Sequence, residues 1–224
     1  MNPAYFLTGT DTEIGKTFIT CALLQRAAQL GIKAAGIKPV AAGTDPKGKN
    51  EDVENIRAAS VVSLPNEVIN PYCFTAAVAP HIAAAEEGRA IEFSRIKTAC
   101  STAQAQAELV IIEGVGGFRV PLGEDGDSAD LAVMLGLPII LVVGMRLGCI
   151  NHALLAAEAI SARQLRIAGW VANRVNPNMA RFDENLATLR ALIKAPLLGV
   201  GPYAPDGASA GAANHLSLPD GLGL

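Results

Sequence analysis

A glycine, a lysine and a threonine, Gly15, Lys16 and Thr17, follow one another in YFLTGTDTEIGKTFIT, between an apolar run and a segment of helical periodicity. A loop that cradles phosphate must sit in that position. Glycine at 15 lets backbone N–H groups approach phosphate oxygens, the Lys16 ammonium can reach the outer oxygens of a polyphosphate, and the Thr17 hydroxyl can ligate Mg²⁺ at a helix N-terminus. The usual spacing, GxxxxGK(S/T), is not met literally: Thr10 stands where the first glycine belongs, and Gly9 comes one residue early.

Three further groups stand at the ends of apolar runs, where ligands of open α/β sheets collect. Glu113 ends AELVIIE and is followed by GVGG, whose small residues Gly114, Gly116 and Gly117 permit close backbone approach to a ligand. It is a candidate Mg²⁺ contact, and equally a solvated carboxylate closing a strand. Lys38 ends AAGIK, and Pro39 forces its backbone extended. An ammonium there would stabilise a moving phosphoryl group, unless it merely snorkels to water. Asn173 ends GWVAN; its amide carries the donor and acceptor that match the N6 and N7 edge of adenine, while a turn-forming asparagine is the competing reading. Guanine would need a carboxylate acceptor, and three residues on stands Asn176. Asp52, in KGKNEDVENI, is either a second carboxylate of the site or an ordinary acidic first turn of a surface helix. In MRLGCINHALL a helix start after Gly148 leaves free N–H groups that could receive a carboxylate. His81, His152 and His215 are isolated and are assigned no chemistry.

The elements that must position these groups alternate. Continuous apolar runs at 4–8, 33–38, 109–113, 139–143, 167–175 and 197–200 suit strands buried on both faces. Helical patterns lie between them: one from 15 or 16 to before Gly31, with Phe18, Cys21, Leu24 and Ala28 facing inward, and others over 52–59, 79–87, 92–108, 151–163 and 181–193. This predicts a single α/β domain of the P-loop NTPase fold, a mostly parallel sheet with helices on both faces. From about 204 to 224, Gly, Ala, Pro and Ser dominate, which predicts a loop-rich tail.

With 224 residues, 50% of them apolar, the chain can bury a full core. The 18 Lys and Arg against 21 Asp and Glu give a net charge of −3, which argues against a nucleic-acid partner. Cys21, Cys73, Cys100 and Cys149 form no CxxC pair and suggest reduced thiols rather than zinc or disulfides. No segment has the unbroken apolar length of a membrane span and no basic-plus-apolar leader is visible, so a soluble cytoplasmic protein without a membrane partner is expected.

Taken together, GTDTEIGKT at 9–17, GIKPV at 36–40, NPY at 70–72, PHIAA at 80–84, EGVGG at 113–117, LGCINHALL at 147–155 and WVANRV at 170–175 resemble the dethiobiotin synthetase family over nearly the whole chain. The resemblance implies a homodimer that binds MgATP and 7,8-diaminononanoate, with the diamine site at the subunit interface. CO₂ or bicarbonate would form a carbamate on one amine, ATP would phosphorylate it, and the other amine would close the ring, releasing dethiobiotin, ADP and phosphate. By the same resemblance Glu13, Ile14, Gly15, Lys16, Thr17 and Phe18 hold the nucleotide, with Gly114, Val115 and Gly116 beside it. Lys16 and Lys38 stabilise phosphoryl transfer, and Thr17, Asp52 and Glu113 surround Mg²⁺. Asn173 and Arg174, with Pro202, Tyr203 and Ala204, form the adenine side. Thr12, Lys38 and Ala42 meet the diamine, whose carboxylate is capped by Gly148, Cys149, Ile150 and Asn151 across the interface. Ala42 departs from the family, which commonly has serine there; Thr44 is the next hydroxyl along the chain.

Two rivals remain. A regulatory ATPase of the septum-site or plasmid-partition kind acts through protein and membrane partners, but its loop normally carries an early lysine that TGTDTEI lacks, and the tail has no basic amphipathic helix. A non-catalytic ATP-binding scaffold, or a synthetase using another acid acceptor, differs in its substrate dependence.

Overall fold

The structure is a computed structural model that describes residues 2–205, 207, 209 and 211–220. Its centre is a six-stranded, wholly parallel sheet in the order β10 (Leu197–Gly201), β9 (Ile167–Asn173), β8 (Ile139–Gly144), β1 (Ala4–Gly9), β5 (Leu109–Glu113), β2 (Ala34–Ile37). All six expected strands form, and 167–175 is shortened at its end to Asn173. Successive residues of β1 supply two separate cores. Ala4 and Phe6 pack on one face, while Tyr5 and Leu7 pack on the other, as a strand covered on both sides requires. The chain leaves β1 for the β2 edge, returns to β5, and then crosses to β8 on the far side, so a switch point opens at the carboxyl end of β1.

Helices α1 (Lys16–Gln29) and α2 (Glu51–Ala59) lie over one side of this end of the sheet. The short α3 (Asn66–Ile69) leads to α4 (Pro80–Glu86), and α5 (Phe93–Gln106), α6 (Ser128–Leu135), α7 (Cys149–Ala162) and α8 (Phe182–Leu192) complete the set. Ile96, Cys100, Ala103, Leu131, Ala153 and Leu189 from these last four helices join the core on the opposite face from α1. The inward stripe of α1 is corrected: Ile19, Leu23 and Ala27 are buried with Cys21 and Leu24, Phe18 is half-buried, and Ala28 is exposed. The sheet-facing side is therefore centred on the 19, 23, 27 row, which leaves 28 past its edge.

Several small elements were not expected. Strand β3 (Val40–Ala42) pairs in parallel with β4 (Tyr72–Phe74), and β6 (Pro121–Gly123) pairs with β7 (Gly126–Asp127). Helix α6 is opened by a capping box in which the Asp127 carboxylate accepts from the Asp130 N–H and the Asp130 carboxylate accepts from the Asp127 N–H. In the tail, a 3-10 turn at Ala212–His215 precedes a bridge between Leu216 and Gly199; residues 206, 208, 210 and 221–224 of the expected loop lie outside the described residues. All four cysteines are free thiols. Among the described residues, no helix is long and apolar enough to cross a membrane.

Candidate nucleotide cleft

The loop after β1 is shaped by close packing that begins with its unusual glycine. A Cβ on Gly9 would stand 2.8 Å from Ile14 Cδ1 and 3.1 Å from Lys16 Cδ, and one on Gly144 would stand 2.5 Å from Ile14 Cγ2. Ile14 thus plugs the loop between two strand ends, and the early glycine makes room for it. Thr10 ties the loop to β8 instead: its N–H donates to the Val142 carbonyl at 3.0 Å and its hydroxyl accepts from the Gly144 N–H at 3.3 Å. Gly15 adopts φ 78° and caps α1, placing Lys16 and Thr17 in the first helical turn. Asn173 is not a free turn residue. Its Nδ2 donates to the Ile14 carbonyl at 2.7 Å, and its buried Oδ1 has no partner among the described residues.

Lys38 leaves β2 with its backbone gripped on both sides. Its N–H donates to the Ile69 carbonyl at 2.8 Å, and Asn70 Nδ2 donates to its carbonyl at 2.6 Å, which gives the NPY segment a structural task. The ammonium does not snorkel: the side chain is 7% exposed and lies between Glu113 Oε1, at 2.9 Å, and Asp52 Oδ2. Glu113 is 1% exposed and is no solvated strand end. The Thr17 hydroxyl donates to its Oε1 at 2.7 Å. Asp52 stands in the acidic first turn of α2, and its carboxylate contacts Lys38.

A cleft of about 1110 Å³ opens over these groups. Thr12, Glu13, Gly15, Lys16, Thr17 and Phe18 line it from the loop and α1, with Lys38 and Ala42 past β2, Asp52 from α2, and Val115 and Gly116 past β5. Both lysines therefore face one cavity. Its walls also include residues that sequence reasoning missed: Cys21 and Gln25 of α1, Glu51, Asn55, Ala58 and Ala59 of α2, Ala77 to Pro80, Val120, Gly207 and Ser209. The α2 row at 51, 55, 58 and 59 has helical spacing, a signal that could have found that wall.

Other expected site residues lie outside these walls. Gly114 turns behind β5 beside Phe6, and Arg174 stacks its guanidinium 3.7 Å from the centre of the Phe182 ring. Pro202, Tyr203 and Ala204 follow β10 without lining the cleft. Gly148 caps α7 with φ 95°; Cys149 is buried, Ile150 half-buried and Asn151 exposed, and none of the four borders the cleft of its own chain. Thr44 does not line it either.

Electrostatics separate the two lysines. Burial favours the neutral form of Lys38, but Glu113 and Asp52 outweigh it and raise its pKa, so it stays charged. Asp52 is held below the usual carboxylate range; burial opposes the shift and the Lys38 charge drives it. For Lys16, burial dominates, only partly offset by Glu113, and lowers the pKa to about 8. Its ammonium donates to the Asp11 carbonyl at 2.8 Å. Without nucleotide this proton is lost as pH rises through about 8, and only the ammonium form attracts a phosphate oxygen. ADP affinity should therefore be insensitive to this group below that pH and fall by about tenfold per unit above it, with proton uptake on binding. Calorimetric titrations in buffers of different ionisation enthalpy measure both.

The family model described as an AAA domain matches residues 3–210. The chain is 58% identical over 219 residues to the ATP-dependent dethiobiotin synthetase BioD of Aromatoleum aromaticum, covering 96% of this chain and 97% of that one. It is 52% identical over 216 residues to the protein of the same name from Ralstonia nicotianae, covering 95% and 94%. Among solved structures, the MinC:MinD cell division protein complex of Aquifex aeolicus aligns with a TM-score of 0.58 at 13% identity, over 94% of this chain and 92% of that one. Chloroplast FtsY of Physcomitrella patens aligns with a TM-score of 0.52 at 14% identity, over 95% of this chain and 65% of that one. At such identities these two show a shared fold and nothing about partners.

Proposed function

Since the chain belongs to the ATP-dependent dethiobiotin synthetase family, and is thereby an ATP-using ligase of biotin biosynthesis, we propose that its cleft carries out both the carbamate phosphorylation and the ring closure. The observation that carries this is the opening of Lys16 and Lys38 into one cavity with Glu113, Asp52 and Thr17 beside them. A vicinal diamine, 7,8-diaminononanoate, binds along Thr12, Lys38 and Ala42. One neutral amine adds to CO₂ and loses a proton, giving a carbamate. A carbamate oxygen attacks the γ-phosphorus of ATP and ADP leaves. The second amine then attacks the carbamoyl carbon, the C–O bond to phosphate breaks, and phosphate departs as the cyclic urea forms.

Each side chain has a physical task in that sequence. Lys16 and the N–H groups around Gly15 hold the outer phosphates, and Lys38, kept charged by its carboxylates, meets the negative charge of the carbamate and of the moving phosphoryl group. Asn173 offers Oδ1 to the exocyclic amine of adenine, with Arg174 and Pro202, Tyr203 and Ala204 nearby in this reading. The donor set fits Mg²⁺: the Thr17 hydroxyl and the carboxylates of Asp52 and Glu113 are hard oxygens, and this ion usually takes one or two carboxylates with phosphate oxygens and water. When bound, Mg²⁺ supplies charge neutralisation on the phosphates.

A cytoplasmic homodimer completes the proposal. Leu147, 95% exposed, and Leu155 on α7 flank the Gly148 to Asn151 turn, and a second copy seated there would bring that turn toward the diamine's carboxylate. ADP release by the purified protein should require both the vicinal diamino acid and bicarbonate. Equal turnover without the diamine would reject the assignment and favour a regulatory ATPase.

A further inference from the structure

Helical threonines usually turn their hydroxyls back on the preceding helical turn. Thr98, Thr102 and Thr188 do so, donating to the carbonyls of Ser94, Thr98 and Glu184 at 3.0, 2.9 and 2.8 Å. Thr20 does not. It is 0% exposed, and its Oγ1 donates to Glu113 Oε2 at 2.6 Å. The other oxygen of the same carboxylate, Oε1, receives Thr17 Oγ1 at 2.7 Å and Lys38 Nζ at 2.9 Å. Thr17 and Thr20 are three residues apart on α1, so both hydroxyls face the end of β5.

We infer that Thr20 is a positioning residue of the phosphoryl-transfer centre, acting through Glu113; this deepens the ATP-site reading above and rests on it. The terminal torsion of a glutamate is broad and roughly two-fold, so backbone placement alone does not fix where its two oxygens point. The Thr20 bond fixes Oε2, and with it the direction of Oε1. Oε1 can then accept from Thr17 and Lys38 together. Because the Thr17 proton is committed to Glu113, the lone pairs of its hydroxyl remain available for Mg²⁺. Without the Thr20 hydroxyl, a buried carboxylate oxygen would lack its donor, and the carboxylate would turn to find another.

Thr20→Val keeps the shape and removes the hydroxyl; Thr20→Ser keeps the hydroxyl. Calorimetric titration of ADP with and without Mg²⁺ gives the gain in affinity due to the metal, a quantity independent of turnover. Thr20→Val should cut that gain, and kcat, by about tenfold or more, the range typical of groups that orient metal ligands. KM for the diamine should stay within about twofold, since uniform substrate binding is not what Thr20 supports. Thr20→Ser should restore both quantities. A folded Thr20→Val protein with an unchanged Mg²⁺ gain and kcat would overturn the inference alone. A wild-type protein with no Mg²⁺ gain would overturn the ATP-site reading and the inference with it. If Thr20→Val does not fold, Thr20→Ala compared with Thr20→Ser decides by the same outcomes.

Discussion

Replacing Lys38 by alanine should lower kcat by about 10²- to 10³-fold, the usual cost of losing one preorganised charge-stabilising group. Affinity for ADP should change by only a few-fold. The difference follows from where charge moves. In the proposed reaction Lys16 and the loop hold phosphates that carry full charge throughout, whereas the group crossing toward the carbamate needs the second ammonium most at the transition state. The variant carries a structural cost as well, because Glu113, 1% exposed, keeps its two threonine donors but loses its cation. Breaking a buried ion pair typically costs about 3 kcal/mol or more unless the remaining carboxylate takes up a proton. Thermal unfolding and single-turnover phosphoryl transfer, measured on the same preparation, separate that cost from the catalytic loss. A kcat within about threefold of wild type would remove Lys38 from the chemistry, against the range expected for a group of this kind.

Gly15→Ala should abolish useful nucleotide binding while leaving the domain folded. The position has φ 78°, and a Cβ would lie 2.3 Å from Asn173 Nδ2, the atom that holds the Ile14 carbonyl. Left-handed backbone alone costs an alanine about 1–2 kcal/mol. The collision adds more, and it acts on the loop proposed to wrap the phosphates. A loss of at least about 100-fold in ADP affinity is expected, equivalent to roughly 2.7 kcal/mol. Gly48 is the internal control, with φ 75° and nothing within 4 Å of a Cβ. Gly48→Ala therefore carries only the backbone strain, and calorimetric titration should find its ADP affinity unchanged. Equal losses in the two variants would assign the effect to strain rather than to the contact with Asn173.

The long-range structure was legible where the sequence carries a strong local signal. Continuous apolar runs located all six strands of the main sheet, because a strand buried on both faces has no polar positions to blur the pattern. Lys16, Lys38 and Glu113 could be brought together in advance because each stands at a strand end or in an adjoining first helical turn, whereas Asp52 read equally as a surface helix start and joined them only through the family resemblance. What escaped has physical causes. Strands β3 and β4 are three residues each and pair across a long excursion, so neither has a period to read. Helix α6 opens with Asp at both capping positions rather than the commoner Ser or Thr with Glu. The inward face of α1 was misjudged at Ala28 because an alanine fits either side of a helix border. Thr20 and Asn70 escaped because a polar residue in a buried run shows its purpose only when its partner, distant in sequence, is in place.

The register of β10 shifts between Leu197 and Gly199, and there the carbonyl of Leu198 turns away to accept from the Ser217 N–H at 2.7 Å and the Ser217 hydroxyl at 2.9 Å. Gly199 bridges Leu216 at the same place, and a Cβ on it would stand 2.0 Å from the His215 carbonyl oxygen. β10 is an outer strand, and an outer strand with open hydrogen-bonding groups is a template on which another polypeptide can extend the sheet. The final described segment occupies those groups intramolecularly. At Leu198 and Gly199 the margin of the sheet farthest from Lys38 is thus already paired within the chain.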